Sequence, residues 1–149
     1  MSEEFFTHDY FMKAALKEAE QAFQENEIPV GCVIVCQNQI IGRGHNLTEK
    51  LKDVTAHAEM QAITAASNYL GAKYLIDCTM YVSIEPCVMC AGAIFWSQVG
   101  RLVYGADDEK RGFSKTGNLL HPKTDIVKGI LKKDASELMK TFFKKIRET

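Results

Sequence analysis

The sequence predicts an α/β protein in which helices cover both faces of a mixed sheet. Three observations support this class: segments with helical spacing alternate with short apolar segments, two early apolar segments form a hairpin, and helices separate the later strands. A hairpin pairs its strands antiparallel, whereas a strand–helix–strand unit favours parallel pairing with a right-handed crossover. The sheet is therefore expected to contain both kinds of pairing.

The first half of the chain predicts a helix, a hairpin and a second helix. Apolar residues recur at helical spacing over residues 10–26, and Pro29 supports a helix end nearby. "VGCVIVC" (30–36) is typical of a buried strand, and "IIGRGHN" (40–46) of its antiparallel partner. "AHAEMQAITAASNYLG" (56–71) predicts a helix that its final glycine ends.

The second half predicts two strands and two helices. "TMYVSIE" (79–85) and "GRLVYGA" (100–106) have the β-rich composition of strands. Between them, "CVMCAGAIFWS" (87–97) predicts a short helix with Pro86 in its first turn, where a missing N–H does no harm. A charged, glycine-containing loop follows the second strand, and residues 134–149 predict a final helix.

Length and composition indicate one globular domain inside the cell. The 149 residues have the size of one domain, residues 1–149, and 46% of them are hydrophobic, which is enough for a core. A net charge of −1 disfavours a protein that coats nucleic acid by bulk charge alone, but it permits a local basic patch. The N-terminal residues do not resemble a signal peptide, and no apolar run is long enough to span a bilayer. We therefore expect a cytoplasmic protein without a membrane partner, whose five cysteines are reduced.

Cys87 and Cys90 form a C-x-x-C pair directly after Pro86. At the start of a helix, unpaired N–H groups and the helix dipole favour the thiolate form that zinc binds. The same spacing also fits a redox pair or a structural zinc site, which would need four protein ligands.

"TAHAEMQAI" supplies the groups that separate these alternatives. Residues two apart do not share a face of a regular helix, so we place His57 at the helix entry and Glu59 just inside it. Together with the two cysteines, His57 gives three protein ligands and leaves a fourth position for water, as in catalytic zinc sites. Deamination of a base needs such a nucleophile and a group that moves protons, and H-x-E…P-C-x-x-C is typical of zinc deaminases.

Motifs along the chain resemble those of the bacterial tRNA-specific adenosine deaminases, within the cytidine deaminase superfamily. The matching stretches are "IPVGCVIV", "GRGHN", "TAHAEMQAI", "YVSIEPCVMCAGAI", "GRLVYGADD" and "FFKKIR". The resemblance implies a three-layer α/β/α sandwich with a five-stranded mixed sheet. It also implies conversion of the wobble adenosine of a tRNA anticodon loop to inosine, by a homodimer whose active sites are partly built by the neighbouring subunit.

The resemblance also assigns roles to individual residues. His57, Cys87 and Cys90 correspond to the ligands of one Zn²⁺ per subunit, Glu59 to the proton shuttle, and Asn46 to the asparagine that holds the target base. The resemblance places Asp108 and Lys110 in the loop that lines the RNA path. Apart from the resemblance, we expect Ala58, Glu85 and Pro86 to contribute to the substrate pocket, Glu85 because its main chain leads into Pro86.

Two features depart from the family pattern. After the last internal strand, related bacterial sequences have a short K-x-G-A-x-G-S loop, whereas this chain has the longer "DEKRGFSKTGNLLHP", with Phe113 at a small-residue position. Cys32 replaces the usual alanine of "PVGAV". We interpret Cys32, Cys36 and Cys78 as packing residues rather than as a second metal site.

The aromatic and basic residues near the C-terminus, and His45, each allow a structural and a functional interpretation. Phe142 and Phe143 are adjacent on a helix, so either both enter the core or Phe143 offers a stacking surface to a base. The basic residues near the C-terminus form either a solvated helix face or a docking surface for phosphates. His45 is more often a structural residue than a substrate contact.

Two other functions stay open. The first is a small-molecule deaminase that acts on guanine, cytosine or a nucleoside with the same metal and Glu59. The second is a non-catalytic, zinc-stabilised binding module.

Overall fold

Five strands form one mixed sheet in the computed structural model, which describes residues 5–148. In the order β2-β1-β3-β4-β5, β1 pairs antiparallel with β2 and β3, and β4 pairs parallel with β3 and β5. The strands are β1 Gly31–Cys36, β2 Gln39–His45, β3 Cys78–Ile84, β4 Arg101–Ala106 and β5 Asp125–Lys128. The mixed pairing confirms the fold class.

Helices cover both faces of this sheet and complete a three-layer α/β/α sandwich. Val33 and Val35 of β1 pack in one apolar cluster with α1 and α5, while Cys32 and Ile34 pack in the other with α3 and α4. Because both faces are buried, the strand is a continuous apolar run. The helices are α1 His8–Gln24, α2 Thr48–Leu51, α3 Ala58–Leu70, α4 Val88–Ser97 and α5 Lys132–Arg147.

The patterns alone predict four of these strands, and β5 follows only from the family resemblance. β5 is a four-residue edge strand whose residues are mostly exposed, so it has no apolar alternation. The patterns also do not predict α2. By contrast, Gly71 ends α3 as expected, in the left-handed conformation with φ 63°. The first four residues and Thr149, which belong to the N-terminal stretch and the predicted last helix, lie outside the described residues.

The start of α4 differs from the prediction. The helix begins at Val88 with Cys87 as its N-cap residue, so Pro86 precedes the helix instead of occupying its first turn. The segment stays extended because Pro86 accepts a hydrogen bond at its carbonyl from the Phe113 N–H, at 3.0 Å. The preceding Glu85 N–H likewise donates to the Ala106 carbonyl, at 2.8 Å. These bonds continue the hydrogen bonding beyond the end of β3 as far as Cys87, the N-cap residue of α4 and a candidate metal ligand.

The first turn of α3 lies directly on β2. A Cβ added at Gly44 would overlap the carbonyl oxygen of Ala58, so only glycine permits this approach of strand and helix. The contact fixes the helix entry that carries His57 and Glu59. None of the helices within residues 5–148 has the length and apolar character that crossing a membrane requires.

Candidate active site

Three potential metal ligands converge where α3 and α4 begin. His57 is the N-cap residue of α3, Cys87 is the N-cap residue of α4, and Cys90 lies in the first turn of α4. The Nδ1 atom of His57 is 3.7 Å from the Cys87 Sγ and 3.5 Å from the Cys90 Sγ. Within the described residues, these three form the group of histidine, cysteine or acidic side chains whose ligand atoms lie close enough together to hold one metal ion.

The spacing of these atoms fits zinc. A nitrogen about 2.1 Å and a sulfur about 2.3 Å from a tetrahedral ion lie about 3.6 Å apart, which matches both measured separations. One imidazole and two sulfurs are also the soft donors that zinc prefers over magnesium or calcium. A metal held by three protein ligands has a fourth position for water or substrate, so the donor set fits a catalytic site better than a closed structural one.

The three ligand candidates influence one another's proton affinity. A hydrogen bond with Cys90 lowers the pKa of Cys87 to about 4, and the same bond raises the pKa of the Cys90 thiol. A hydrogen bond with Cys87 raises the pKa of His57. Zinc binds cysteine as the thiolate, so the low pKa of Cys87 favours metal binding at this cluster.

Glu59 is a buried carboxyl group beside this cluster. It is the second residue of α3, and only 4% of its surface is exposed. Burial raises the pKa of Glu59 to about 7, while the hydrogen bond from its own backbone N–H works against that rise. Such a group can both accept and release a proton near neutral pH, which is what a proton shuttle requires.

Asn46 directly follows β2, and the side chains of Asn46 and Glu27 hold the next residues, 48–50, by hydrogen bonds to their backbone N–H groups. The Oδ1 of Asn46 accepts a hydrogen bond from the Thr48 N–H at 3.3 Å. The carboxylate of Glu27, which is 1% exposed, accepts the N–H groups of Glu49 at 3.0 Å and Lys50 at 2.8 Å. Sequence reasoning misses Glu27, since no spacing rule links an acidic residue before β1 to the start of α2.

Residues 107–117 form the loop that follows β4. Asp108 is half-buried, and its Oδ1 accepts the N–H groups of Lys110 at 3.1 Å and Arg111 at 3.0 Å, while both of these residues are exposed. The two oxygens of Glu85 accept hydrogen bonds from Asp108 and Ser114 in the same loop. The loop therefore presents two cations at its tip and is bonded to the residue before Pro86.

Phe113 explains the departure of this loop from the family pattern. Its ring is 3% exposed and meets Tyr104 of β4 edge to face, with ring centroids 6.4 Å apart. It belongs to the same apolar cluster as Ala91 and Ile94 of α4. The bulky residue is thus a core anchor of the loop.

The C-terminal end of α5 packs beside α1. Phe142 is buried against Phe23, whereas Phe143 is 38% exposed, so the two adjacent rings divide between core and surface. Lys145 lies over the ring of Phe23 and donates a hydrogen bond to Asn26 at 3.3 Å. Asn26 directly precedes Glu27, so the basic end of α5 lies next to the segment that carries Asn46.

The environments of the remaining candidate residues indicate roles in the fold. His45 lies between the carboxylates of Glu18 in α1 and of Glu25, the C-cap residue of that helix, with Nδ1 3.3 Å from Glu18 and Nε2 3.1 Å from Glu25, which fits the structural interpretation. Ala58 is fully buried, so it can offer a substrate only its main chain. All five cysteines are free, and Cys32, Cys36 and Cys78 pack in or against the α3–α4 cluster.

Comparisons with known proteins agree with this geometry. The family profile for the cytidine and deoxycytidylate deaminase zinc-binding region matches residues 6–106. A tRNA-specific adenosine deaminase from Streptococcus pyogenes serotype M18 (strain MGAS8232) is 44% identical over 145 residues, which cover 93% of this chain and 91% of that protein.

Solved structures give the same picture. One from work on A-to-I editing by tRNA:A34 deaminases at the wobble position of transfer RNA has a TM-score of 0.80 and 38% identity, covering 87% of this chain and 98% of that one. A guanine deaminase from Bacillus subtilis has a TM-score of 0.63 and 40% identity, covering 72% of this chain and 66% of that one. The chain therefore belongs to the zinc-binding cytidine and deoxycytidylate deaminase family, and within it to the tRNA-specific adenosine deaminases.

Proposed function

We propose that this chain, a single domain over residues 1–149, is a cytoplasmic zinc-dependent deaminase that converts the wobble adenosine of a tRNA anticodon loop to inosine. The observation that carries this proposal is the three-ligand cluster of His57, Cys87 and Cys90 beside the buried carboxyl group of Glu59. The match to tRNA-specific adenosine deaminases over 93% of the chain supports the choice of substrate.

The proposed mechanism assigns one proton carrier and one base-holding group. When bound by His57, Cys87 and Cys90, Zn²⁺ supplies a water of lowered pKa as the nucleophile for C6 of adenine. Glu59 accepts a proton from the attacking water and delivers it to the ring nitrogen next to that carbon. It then delivers the water's second proton to the departing amino group, so that adenosine and water yield inosine and ammonia.

Asn46 is the group that we expect to hold the base in this orientation. The bond from the Thr48 N–H to its Oδ1 orients the amide, and the NH₂ group is the donor that we expect it to offer to a base. A donor suits an acceptor nitrogen such as N7 of adenine. The base would reach the pocket by leaving the stack of a single-stranded loop, which RNA permits at low cost.

Two basic surfaces flank the proposed route of the RNA. Lys110 and Arg111 lie at the tip of the 107–117 loop, and the C-terminal turns of α5 carry further exposed lysine and arginine side chains. Such side chains attract phosphates even when the whole protein has a net charge of −1. Phe143, half-exposed beside this basic helix end, would offer a ring on which an unstacked base can lie.

The homodimer belongs to the same proposal, and the outer face of α4 supports it. The helix has the sequence "VMCAGAIFWS", without a charged residue, so its outward side is as apolar as its buried side. Val88, Met89 and Trp96 lie on that outward side, and Trp96 is 76% exposed. A helix that is apolar all round is normally buried. Since α4 also carries Cys90, a second copy of the chain packed on this face would lie close to the metal cluster.

We expect Trp96→Glu to convert a dimer into a monomer. In a two-fold interface each substitution occurs twice, and a buried charge opposes association of an apolar surface. A loss of about 2 kcal/mol or more, typical of an interfacial tryptophan, raises the dissociation constant at least about 30-fold. Light scattering after size-exclusion chromatography measures the mass. Lys17→Glu on α1, in the opposite layer, is the control, and a Trp96→Glu protein that stays dimeric would contradict the assigned interface.

The substrate is tested with an anticodon stem-loop that carries adenosine at the wobble position. We expect the zinc-loaded protein to form inosine there, which raises the mass of the nucleoside by about 1 Da because an amino group is replaced by oxygen. Free adenosine, guanine and cytidine are assayed in parallel and are expected to react at least about 100-fold more slowly, since they lack the phosphate contacts. A stem-loop with guanosine at the wobble position is the matched control.

The stem-loop assay also distinguishes an RNA deaminase from a small-molecule deaminase and from a non-catalytic binding module. Turnover of free guanine without reaction of the stem-loop would favour a small-molecule deaminase, to which the similarity with the Bacillus subtilis guanine deaminase points. That similarity covers 66% of the guanine deaminase, against 98% of the A34 deaminase structure, so we prefer the RNA substrate. No turnover of any of these substrates by a zinc-loaded protein would favour the non-catalytic module.

A further inference from the structure

We propose that Glu85 is a positioning residue whose carboxylate anchors the 107–117 loop to the metal-binding segment, and so sets where the loop's cations meet the RNA. The inference rests on the proposed function for its consequence, while the anchor itself rests on contacts in the structure. The position of Glu85 directly before Pro86 predicts that it helps to shape the substrate pocket, but its side chain binds the 107–117 loop instead.

The carboxylate of Glu85 accepts three hydrogen bonds from the 107–117 loop. Its Oε1 accepts the backbone N–H of Asp108 at 3.1 Å. Its Oε2 accepts the backbone N–H of Ser114 at 3.1 Å and the Ser114 hydroxyl at 2.6 Å. Glu85 is 5% exposed, so these bonds to a charged group lie in a largely water-free place, where hydrogen bonds are strong and their loss is costly.

The two bonded residues lie on either side of the loop's tip. Asp108 precedes Lys110 and Arg111, and its own Oδ1 accepts the N–H groups of both. Ser114 follows them and lies in the short 3₁₀ helix Phe113–Thr116. One buried carboxylate therefore fixes the entry and the exit of the segment that presents two exposed cations.

Gly112 shows how closely the loop is fitted to this carboxylate. A Cβ added at this position would overlap all three atoms of the Glu85 carboxyl group. The backbone of Gly112 has φ −62°, which any residue can adopt, so glycine is needed here for the close approach and not for its conformational freedom. Loop and carboxylate are thus complementary in shape as well as in hydrogen bonding.

The same segment leads directly to the metal cluster. The Glu85 N–H donates to the Ala106 carbonyl, and the Pro86 carbonyl accepts from the Phe113 N–H. Cys87 forms an isolated β-bridge with Gly112. The loop and the first cysteine ligand candidate consequently form one hydrogen-bonded unit. A displacement of the loop would move the RNA-facing cations relative to the metal, which would misplace the base that must reach it.

Glu85→Gln tests the anchor without a large change in shape. The N–H groups of Asp108 and Ser114 bind different oxygens of Glu85, and in glutamine an NH₂ donor replaces one of those oxygens, so one of the two N–H groups loses its acceptor. We expect the backbone amides of residues 107–117 to exchange hydrogen at least about tenfold faster, while the first turn of α3 is unchanged. With the stem-loop, we expect KM to rise about tenfold and kcat to stay within about threefold, at one zinc per chain.

Ser114 provides a second test that does not depend on a buried substitution. Ser114→Ala removes only the hydroxyl donor to Glu85, so we expect exchange in the loop to increase about threefold. Ser114→Thr retains the hydroxyl and is expected to restore the slower exchange. If Glu85→Gln does not fold, this pair of variants decides.

The outcomes distinguish the anchor from the proposed function. Unchanged loop exchange in Glu85→Gln or equal exchange in the two Ser114 variants would overturn the anchor. If the unmodified protein leaves the stem-loop unchanged, the proposed substrate is wrong, and the exchange measurements still decide whether Glu85 holds the loop.

Discussion

Glu59→Gln is expected to lower kcat for the anticodon stem-loop by about 10²–10⁴-fold while KM and zinc content stay the same. Glutamine has nearly the shape of the glutamic acid side chain but cannot accept and return a proton. Loss of a positioned general acid–base group typically costs this factor. Burial raises the pKa of Glu59 and so favours its protonated form, which the native carboxyl group must adopt during the transfer.

Single-turnover deamination with metal analysis of the same samples measures this effect. Glu59→Asp is the matched variant, because it keeps the carboxyl group but withdraws it by one methylene. We expect it to retain more activity than Glu59→Gln, since a misplaced carboxyl group can still move a proton. Unchanged kcat in a zinc-loaded Glu59→Gln protein would show that another group carries the proton. Zinc loss in that variant would instead assign Glu59 to metal binding.

The layers of the fold could be predicted because each depends on a local pattern. The buried strand Gly31–Cys36 is a continuous apolar run, and α3 combines helical spacing with a terminal glycine. β5 lacks both kinds of signal, since it is short, exposed and held only by pairing with β4. Its presence depends on the rest of the sheet, which the local sequence does not contain.

In the site, too, features that depend on residue type could be predicted, whereas features that depend on tertiary contacts could not. The convergence of His57, Cys87 and Cys90 could be predicted from their spacing, because metal chemistry restricts which residue types occur at which positions, and Glu59 stays the predicted proton carrier. The roles of Glu27 and Glu85 could not, since both bind backbone amides of loops distant in sequence, and backbone amides are the same in every residue type. Phe113 likewise looks atypical for a loop until its ring is found in the core.

Cys90→Ala is expected to remove zinc and deaminase activity together. Cys90 is fully buried and is one of the three groups whose atoms fit the ion, so its loss leaves two protein ligands. We expect less than about a tenth of an equivalent of zinc after purification and activity at background, as the metal supplies the nucleophile. Metal analysis by mass spectrometry and inosine formation in the stem-loop measure the two effects.

Cys32→Ala and a chelator show whether these losses come from the metal. Cys32 is equally buried, but it packs among apolar side chains of the α3–α4 cluster, so its loss is expected to leave zinc and activity intact. Zinc at about 1,000 times its dissociation constant stabilises the folded chain by about 4 kcal/mol, or roughly 10 °C in the melting temperature. A chelator should therefore lower the melting temperature of the unmodified protein and of Cys32→Ala, but not that of Cys90→Ala. An equal response of all three proteins would mean that Cys90 stabilises the chain through packing and does not bind the metal.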